Sequence, residues 1–542
     1  MRRINLFLFL FCTLIYSCTT YDRQPGKTVF RYNEAANITS LDPAFAKDQT
    51  IIWAANQIFN GLVQLNDRME ILPCIATSWN ISESGLDYIF HLRNDVCFHD
   101  SPSFPGGKGR RVLARDFVFS FQRIIDPGVA SPGAWLFNNV DNSTENAAFE
   151  AVNDSTFVIH LGQPFPPFLR LLSMQYCSVI PKEAVAFYGS EFRRNPVGTG
   201  PFRFSMWEEG VKLILLKNPV YFETEHGIRL PFLDAVAISF VPDKQSVFLE
   251  FIKGNLDLMS GIDPTYKDEL LTKEGRLQSK YFSTVDLITQ PYLNTEYLGF
   301  MVDPANRNIQ GYFPVKEIRK AINLAFDRKK MIRYLRNNIG VPGCQGITPK
   351  GLPSFDSTQI FYDYDPEKAR LLLAEAGYPN GAGLPVITLT STSDYLDICK
   401  YIQHQVSTFG IELKIEVSPP AAVKEMKAEA KLPFFRASWI ADYPDAENYL
   451  SMFYSRNFCP KGPNYTHFSN PEFDRLYEES MLTVNDSIRF SYYRKMEQIM
   501  MEEAPVVILY YDQVLRFVQK NIHGLGSNPM NLLTLKRVKK SG

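Results

Sequence analysis

The histidines are the first residues to question for chemistry. His91, His99, His160, His226, His404, His467 and His523 are spread along the chain. No two stand three or four apart, so no helical metal pair exists. Cys97-Phe98-His99-Asp100 puts three ligand types together. On a strand, Cys97 and His99 share a face, which is one way to build a thiolate–imidazole site; a strand end running into a turn is the plainer reading and the one preferred. Asp442 and Asp445 bracket Tyr443-Pro444. Around a proline they lie on a turn, with no reason to share a proton, and glycoside hydrolysis needs two carboxyls facing each other across a cleft. The chain contains no G-x-S-x-G elbow, no H-E-x-x-H and no G-x-x-x-x-G-K-[ST] loop. These motifs therefore point to no catalytic residue, no metal and no cofactor, and two carboxyls facing across a cleft stay open.

The elements that must position these residues follow from periodicity. Tyr88, Phe90 and Leu92 alternate along a strand over 87–92. Further strands are expected at 28–33, 211–216, 235–241 and 506–510. The second half is more helical. Ile318, Ala321, Ile322, Ala325 and Phe326 share one face. Asp365-Pro366 opens a helix that Gly377 ends. A helix over 395–409 runs into a strand over 411–417, an α/β unit. Asn470-Pro471 and Asp486 begin two more helices. Single cores stop growing near about 250–300 residues, so 542 residues imply at least two lobes. With 57 Lys and Arg against 58 Asp and Glu, the chain lacks the cationic excess that nucleic-acid binding demands. Aromatic residues make up 13%, which implies large cores, the preferred reading, or a surface that packs on ligands.

The N-terminus reads as a targeting segment. Arg2 and Arg3 precede a short apolar run ending Leu14-Ile15-Tyr16-Ser17-Cys18, too short to span a bilayer. It resembles a bacterial lipobox. Residues 1–17 are then a signal peptide, Cys18 is the lipidated N-terminus and 18–27 form a flexible tether. Removing two cations and no acid moves the formal charge from −1 to about −3. Six cysteines remain beyond Cys18, and Cys74 with Cys97 is the pair expected if a disulfide forms.

Six blocks in order carry a family resemblance. They are Ser40-Leu41-Asp42-Pro43; Leu72-Pro73 through Trp79 with Tyr88-x-Phe90-x-Leu92-Arg93 and Phe98-His99-Asp100; Ala114-x-Asp116-Phe117-Val118-Phe119-Ser120; Asn195-Pro196-Val197-Gly198-Thr199-Gly200-Pro201-Phe202; Asp365-Pro366 to Gly377-Tyr378; and Trp439-Ile440-Ala441-Asp442-Tyr443-Pro444-Asp445. Together they resemble the extracytoplasmic solute-binding lipoproteins of peptide ABC importers, the oligopeptide- and dipeptide-binding family (solute-binding family 5). Two departures stand out. Ser101 and a loop holding Pro105-Gly106-Gly107 follow the His-Asp step where glycine is common. Ala446-Glu447-Asn448 follows Asp445 where proline is common.

The resemblance implies an α/β, two-lobed periplasmic binding protein-like fold (type II, large cluster C form), with an extra insert subdomain and a hinged interlobe cleft. Lobe I would comprise 28–55, 181–283 and 496–542, the insert 56–180 and lobe II 284–495. It implies ligand contacts from Asp442, Trp439, Arg436, Tyr443, Asn37 and Ile38. Asp442 would grip a peptide's α-ammonium; at ~4 Å and an effective dielectric of about 20 that attraction is about 4 kcal/mol before desolvation. Trp439 would offer a flat face to varied side chains. Arg436 would offer paired donors to a carboxylate or else make a structural ion pair. Gly198 and Gly200 are expected to take backbone angles other residues avoid. The implied partners are a peptide, an ABC permease with its ATPase subunits, and a membrane reached through Cys18, with the chain monomeric on the outer side of a bacterial membrane. The alternatives are the same fold with nickel, haem, an oligosaccharide or a signalling peptide as cargo, or a secreted hydrolase.

Overall fold

The computed structural model describes residues 26–141, 148–261, 263, 266–306 and 313–541. The signal segment 1–17, Cys18 and residues 19–25 of the tether lie outside the described residues.

One mixed sheet runs through the molecule, and two long strands carry it from one lobe to the other. On the first side, Phe202–Glu208, Lys212–Lys217, Ala235–Ser239, Val29–Asn33 and Leu258–Ser260 pair in that order. On the second side are Phe434–Ile440, Ile387–Ser391 and Leu413–Val417. Between them lie Val285–Phe300 and Val506–Gln519, antiparallel to each other. Their pairing breaks once: Pro291 faces Gln513 and Thr295 faces Tyr511, with the register shifted between. The residues in that gap, Tyr292 to Asn294 and Asp512, form the seam between the lobes. The 506–510 strand is thus longer than its apolar run suggests. Asp512 and Gln513 interrupt the apolar pattern, and the strand resumes in the other lobe.

A separate four-stranded sheet, Ala76–Ile81, Asp87–Leu92, Thr156–His160 and Phe149–Asn153, belongs to the insert. The helix Ala114–Ile125 packs against it, burying Phe117 and Phe121. The insert shares a continuous apolar core with the first-side strands. A second core lies beneath the second-side strands. It includes Met496, Met500, Met501 and Val506–Tyr511, residues the sequence reading gave to lobe I. The chain crosses back near Asp512 because the helix Asp486–Glu503 buries its methionines on the second side. That helix begins at Asp486, as expected, and Asn485 caps it: the Asn485 Oδ1 accepts from the amides of Ser487 and Ile488 at 3.0 and 3.2 Å.

Most of the family blocks serve as joints. Asp42 takes both guanidinium nitrogens of Arg123, at 3.0 and 2.6 Å, tying the opening segment to the insert helix. His99 donates its amide to the Gly198 carbonyl at 2.7 Å, and its Nε2 lies 2.9 Å from the Gly200 carbonyl oxygen. Burial holds His99 down at about 4, so it is a neutral hydrogen-bonding wedge. Gly198 and Gly200 do not adopt left-handed angles. They are glycines because the Ile58 backbone passes against them: a Cβ on Gly198 would lie 2.1 Å from the Ile58 carbonyl oxygen. The expected Cys74–Cys97 disulfide is absent. Cys74 is buried, Cys97 exposed, and both thiols are free. Cys97 and His99 likewise face different surroundings, and no group of three metal-ligating side chains forms among the described residues.

Candidate interlobe binding site

The strand directions decide where a ligand can sit. Val29–Asn33 and Ala235–Ser239 are parallel, and by the ladder they run in the sense of Val285–Phe300. Their carboxyl ends therefore point toward the seam. Phe434–Ile440 runs the opposite way, with Ile440 opposite Asn294, and Ile387–Ser391 is parallel to it. Its carboxyl end reaches the same seam from the other lobe. Ligands of open α/β sheets bind beyond carboxyl strand ends, and here two sets of ends converge.

Asp442 follows directly on Phe434–Ile440. Its side chain is exposed to solvent, yet protein crowds around it, and desolvation raises its carboxyl above the usual range. Among the described residues no cation pairs with it. Its partner is Asn448, whose Oδ1 accepts from the Asp442 amide at 3.2 Å and whose Nδ2 donates to Asp442 Oδ2 at 3.4 Å. The same Oδ1 accepts from Trp439 Nε1 at 2.8 Å. One buried asparagine thus sets both the indole plane and the carboxylate. Sequence reasoning missed Asn448; the only signal was that it stands in a stretch departing from the family pattern.

The other expected residues fall into three situations. Asn37 is exposed on the loop after Val29–Asn33, and Ile38 beside it is buried in the first core. Tyr443 is buried, its hydroxyl donates to Glu447, and its ring packs 6.2 Å from Trp135 of the insert. It holds the two bodies together. Arg436 pairs with the buried Glu296 and lies over the Tyr395 ring. Glu296 also accepts from Asn294 at 3.1 Å, and Asn294 reaches Asp512 at 3.4 Å. Arg436 therefore joins a charged network that ends at the seam, with its Nε buried and unpartnered. Asp445 goes its own way: it is buried and paired with Arg489 at 3.0 Å, while Arg170 of the insert approaches it at 3.6 Å. A cavity of about 430 Å³ lies beside this contact, lined by Trp79, Tyr88, Phe165, Arg170, Pro444 and Asp486.

With two lobes, a crossed seam and a site at convergent strand ends in place, known proteins can be compared. The model of the bacterial extracellular solute-binding proteins, family 5, matches residues 70–458. This chain belongs to that family. Like its other members it is a solute-binding protein of ABC importers. The heme-binding protein A of Haemophilus influenzae is 30% identical over 503 residues, covering 90% of this chain and 87% of its own. The glutathione-binding protein GsiB of Escherichia coli K12 is 26% identical over 502 residues, covering 91% of each. Among solved structures, the periplasmic binding protein DppA of Helicobacter pylori with the peptide STSA superposes with a TM-score of 0.74. It is 27% identical and covers 94% of this chain and 98% of its own. The two-lobed α/β fold of the family 5 binders is thus the fold of this chain, as the sequence resemblance implied. No helix among the described residues is long and apolar enough to cross a membrane.

Proposed function

We propose that this family 5 binder captures short peptides at the seam between its lobes and delivers them to a membrane permease whose ATPase subunits drive import. The observation that carries the reading is Asp442: a carboxylate at convergent strand ends, oriented by Asn448, partly desolvated and without a cation. A peptide's α-ammonium supplies that cation. Trp439, fixed by the same asparagine, presents an aromatic face to the adjoining side chain. Asn37 and the loop that carries it face the ligand from the first lobe, with Ile38 anchoring the loop in the core. Arg436 is committed to Glu296 and contributes through the network more than as a free carboxylate clamp. Tyr443 acts as packing at the insert. The protein works by binding and release without turnover, as a monomer tethered outside the cytoplasmic membrane through Cys18.

The test is native mass spectrometry of gently purified protein, followed by titration calorimetry with a peptide so identified. A bound peptide, and an Asp442→Asn variant that weakens it by roughly tenfold or more, is the expected result, since hydrogen bonds to charged groups contribute about 1.5–3 kcal/mol. Haem, a metal complex or a sugar as the retained cargo would overturn the peptide reading.

A further inference from the structure

The end of the second lobe remote from the seam gathers a thiol, an imidazole and a carboxylate that peptide capture does not use. Asn294 pairs with Ile440 at the seam, and Phe300 pairs with Phe434 at the other end. Just past Phe300 stands Asp303. Cys459 and His467 belong to a turn beside it, where the Thr466 carbonyl accepts the Val302 amide at 2.9 Å. The Cys459 Sγ lies 3.4 Å from His467 Nε2 and 3.4 Å from the carbonyl oxygen of Lys427, at the end of the helix Pro420–Ala428. His467 Nε2 is also 3.2 Å from the Cys459 carbonyl oxygen. On the other edge of the ring, Asp303 Oδ2 lies 3.4 Å from Nδ1. The thiol is free and buried, while the imidazole is 14% and the carboxylate 28% exposed, so the cluster is partly open to solvent. The turn holds these groups in place by itself. Asn464 is fully buried. Its Nδ2 donates to the Tyr454 and Phe468 carbonyls at 3.2 and 2.9 Å, and its Oδ1 accepts from the Phe468 amide at 3.2 Å. Its carbonyl accepts the Cys459 amide at 3.3 Å. The Phe458 ring stacks on the imidazole at 4.5 Å with the planes 1° apart.

Acceptors outnumber hydrogens around His467. A neutral imidazole carries one N–H. Given to Asp303, it leaves Nε2 as a lone pair facing the Cys459 carbonyl, and one thiol hydrogen must serve both Nε2 and the Lys427 carbonyl. A cation is what such a cluster lacks. With Zn–S at about 2.3 Å and Zn–N at about 2.05 Å, the 3.4 Å separation of Sγ and Nε2 corresponds to an S–Zn–N angle of about 103°, close to tetrahedral. Histidines that bind metal commonly donate their other N–H to a carboxylate, the place Asp303 occupies. We propose that Cys459 and His467 form a zinc site at this end of the second lobe, oriented by Asp303, with a backbone carbonyl and water at the remaining positions. On binding, the thiol proton leaves to solvent, and the thiolate and Nε2 each form one bond to the metal. The ion then ties the turn to its neighbouring segments and stabilises the second lobe. This inference is independent of the peptide reading.

The test titrates the untagged full-length protein with zinc(II) by calorimetry and with cobalt(II) by absorption. Wild type should bind one zinc per chain, show a thiolate-to-cobalt charge-transfer band in the near ultraviolet, and melt at a higher temperature with zinc than without. Cys459→Ser should abolish the band. His467 has a left-handed backbone, at φ 52°, which asparagine tolerates; His467→Asn should weaken zinc at least tenfold. Asp303→Asn should weaken it by about tenfold. Cys97→Ser, which removes the exposed thiol, should leave both titrations unchanged. Melting of each metal-free variant checks that it folds, and should Cys459→Ser fail to fold, His467→Asn decides. A wild-type cobalt spectrum without the thiolate band overturns the site whatever the variants do. So does zinc affinity that survives Cys459→Ser or His467→Asn.

Discussion

Asn448 does more at the site than any residue whose chemistry looks functional. It is buried, and its amide group meets Trp439 and both the amide and the carboxylate of Asp442. Asn448→Ala leaves a partly buried indole N–H unpaired, at a cost of about 1–3 kcal/mol, and frees Asp442 to turn. Peptide affinity is expected to fall tenfold or more with a lowered melting temperature, measured by calorimetry and thermal unfolding. An unchanged affinity would remove Asn448 from the positioning role. Glu497 makes a second prediction at this scale. Burial pushes its carboxyl up to about 7, although Thr348 donates an amide to it at 2.7 Å. Its folded pKa exceeds its unfolded one, so the native state holds a proton that the unfolded chain releases. That stabilisation is complete below about 4.5 and is lost as pH rises through about 7, a difference of up to about 3 kcal/mol. Melting temperature should therefore drop between pH 5 and 7.5, and Glu497→Gln should flatten the drop. Glu34, also raised to about 7, adds the same sign and should leave a residual slope. A Glu497→Gln profile parallel to wild type would refute the assignment.

Among the elements, the segment 195–202 shows how a recognisable motif can be read for the wrong reason. Its glycines suggest unusual backbone angles. The structure instead brings the end of the helix Gln49–Ile58 against them, and Gly200 donates its amide to the Ile58 carbonyl at 2.8 Å. A sequence lists which residues are small but not which distant backbone lies against them. Gly198→Ala would force a Cβ into the Ile58 carbonyl. It should destabilise the protein by about 1–3 kcal/mol or more, read from denaturant unfolding; a neutral substitution would mean this segment and the helix part easily. Helix caps were more legible, because their cause is local: Asp365 accepts from the Lys368 amide at 3.0 Å, as its position before Pro366 implies.

For the whole molecule, the contact between the insert and the second lobe sets how the cleft is held shut. Arg170 lies 3.6 Å from Asp445 and 4.0 Å from Asp486, while Asp445 retains Arg489 in any case. Arg170→Ala should therefore weaken closure by only about 1 kcal/mol, within the range of partly exposed ion pairs. Ligand should leave about fivefold faster in stopped-flow release, with stability unchanged. A release rate equal to wild type would show that Tyr443 against Trp135 closes the seam without help.

What the sequence by itself determined is whatever rests on short-range pattern. The alternation along 87–92 and the caps are written within a few residues of one another, each family block is itself a short run, and the length that demands two lobes needs no contact to be known. The identity of Asp442 and Trp439 as candidates came with those blocks. Only the tertiary structure decided that two strands cross the seam near Tyr292 and Asp512, that Arg436 spends its charge on Glu296, and that Asn448 orients the site. The crossing and the Arg436–Glu296 pair join residues more than a hundred positions apart, while Asn448 reaches its partners only because the chain turns back after the strand. Hydrophobic pattern specifies which face of an element is buried, but the partner it meets is set by how whole elements pack.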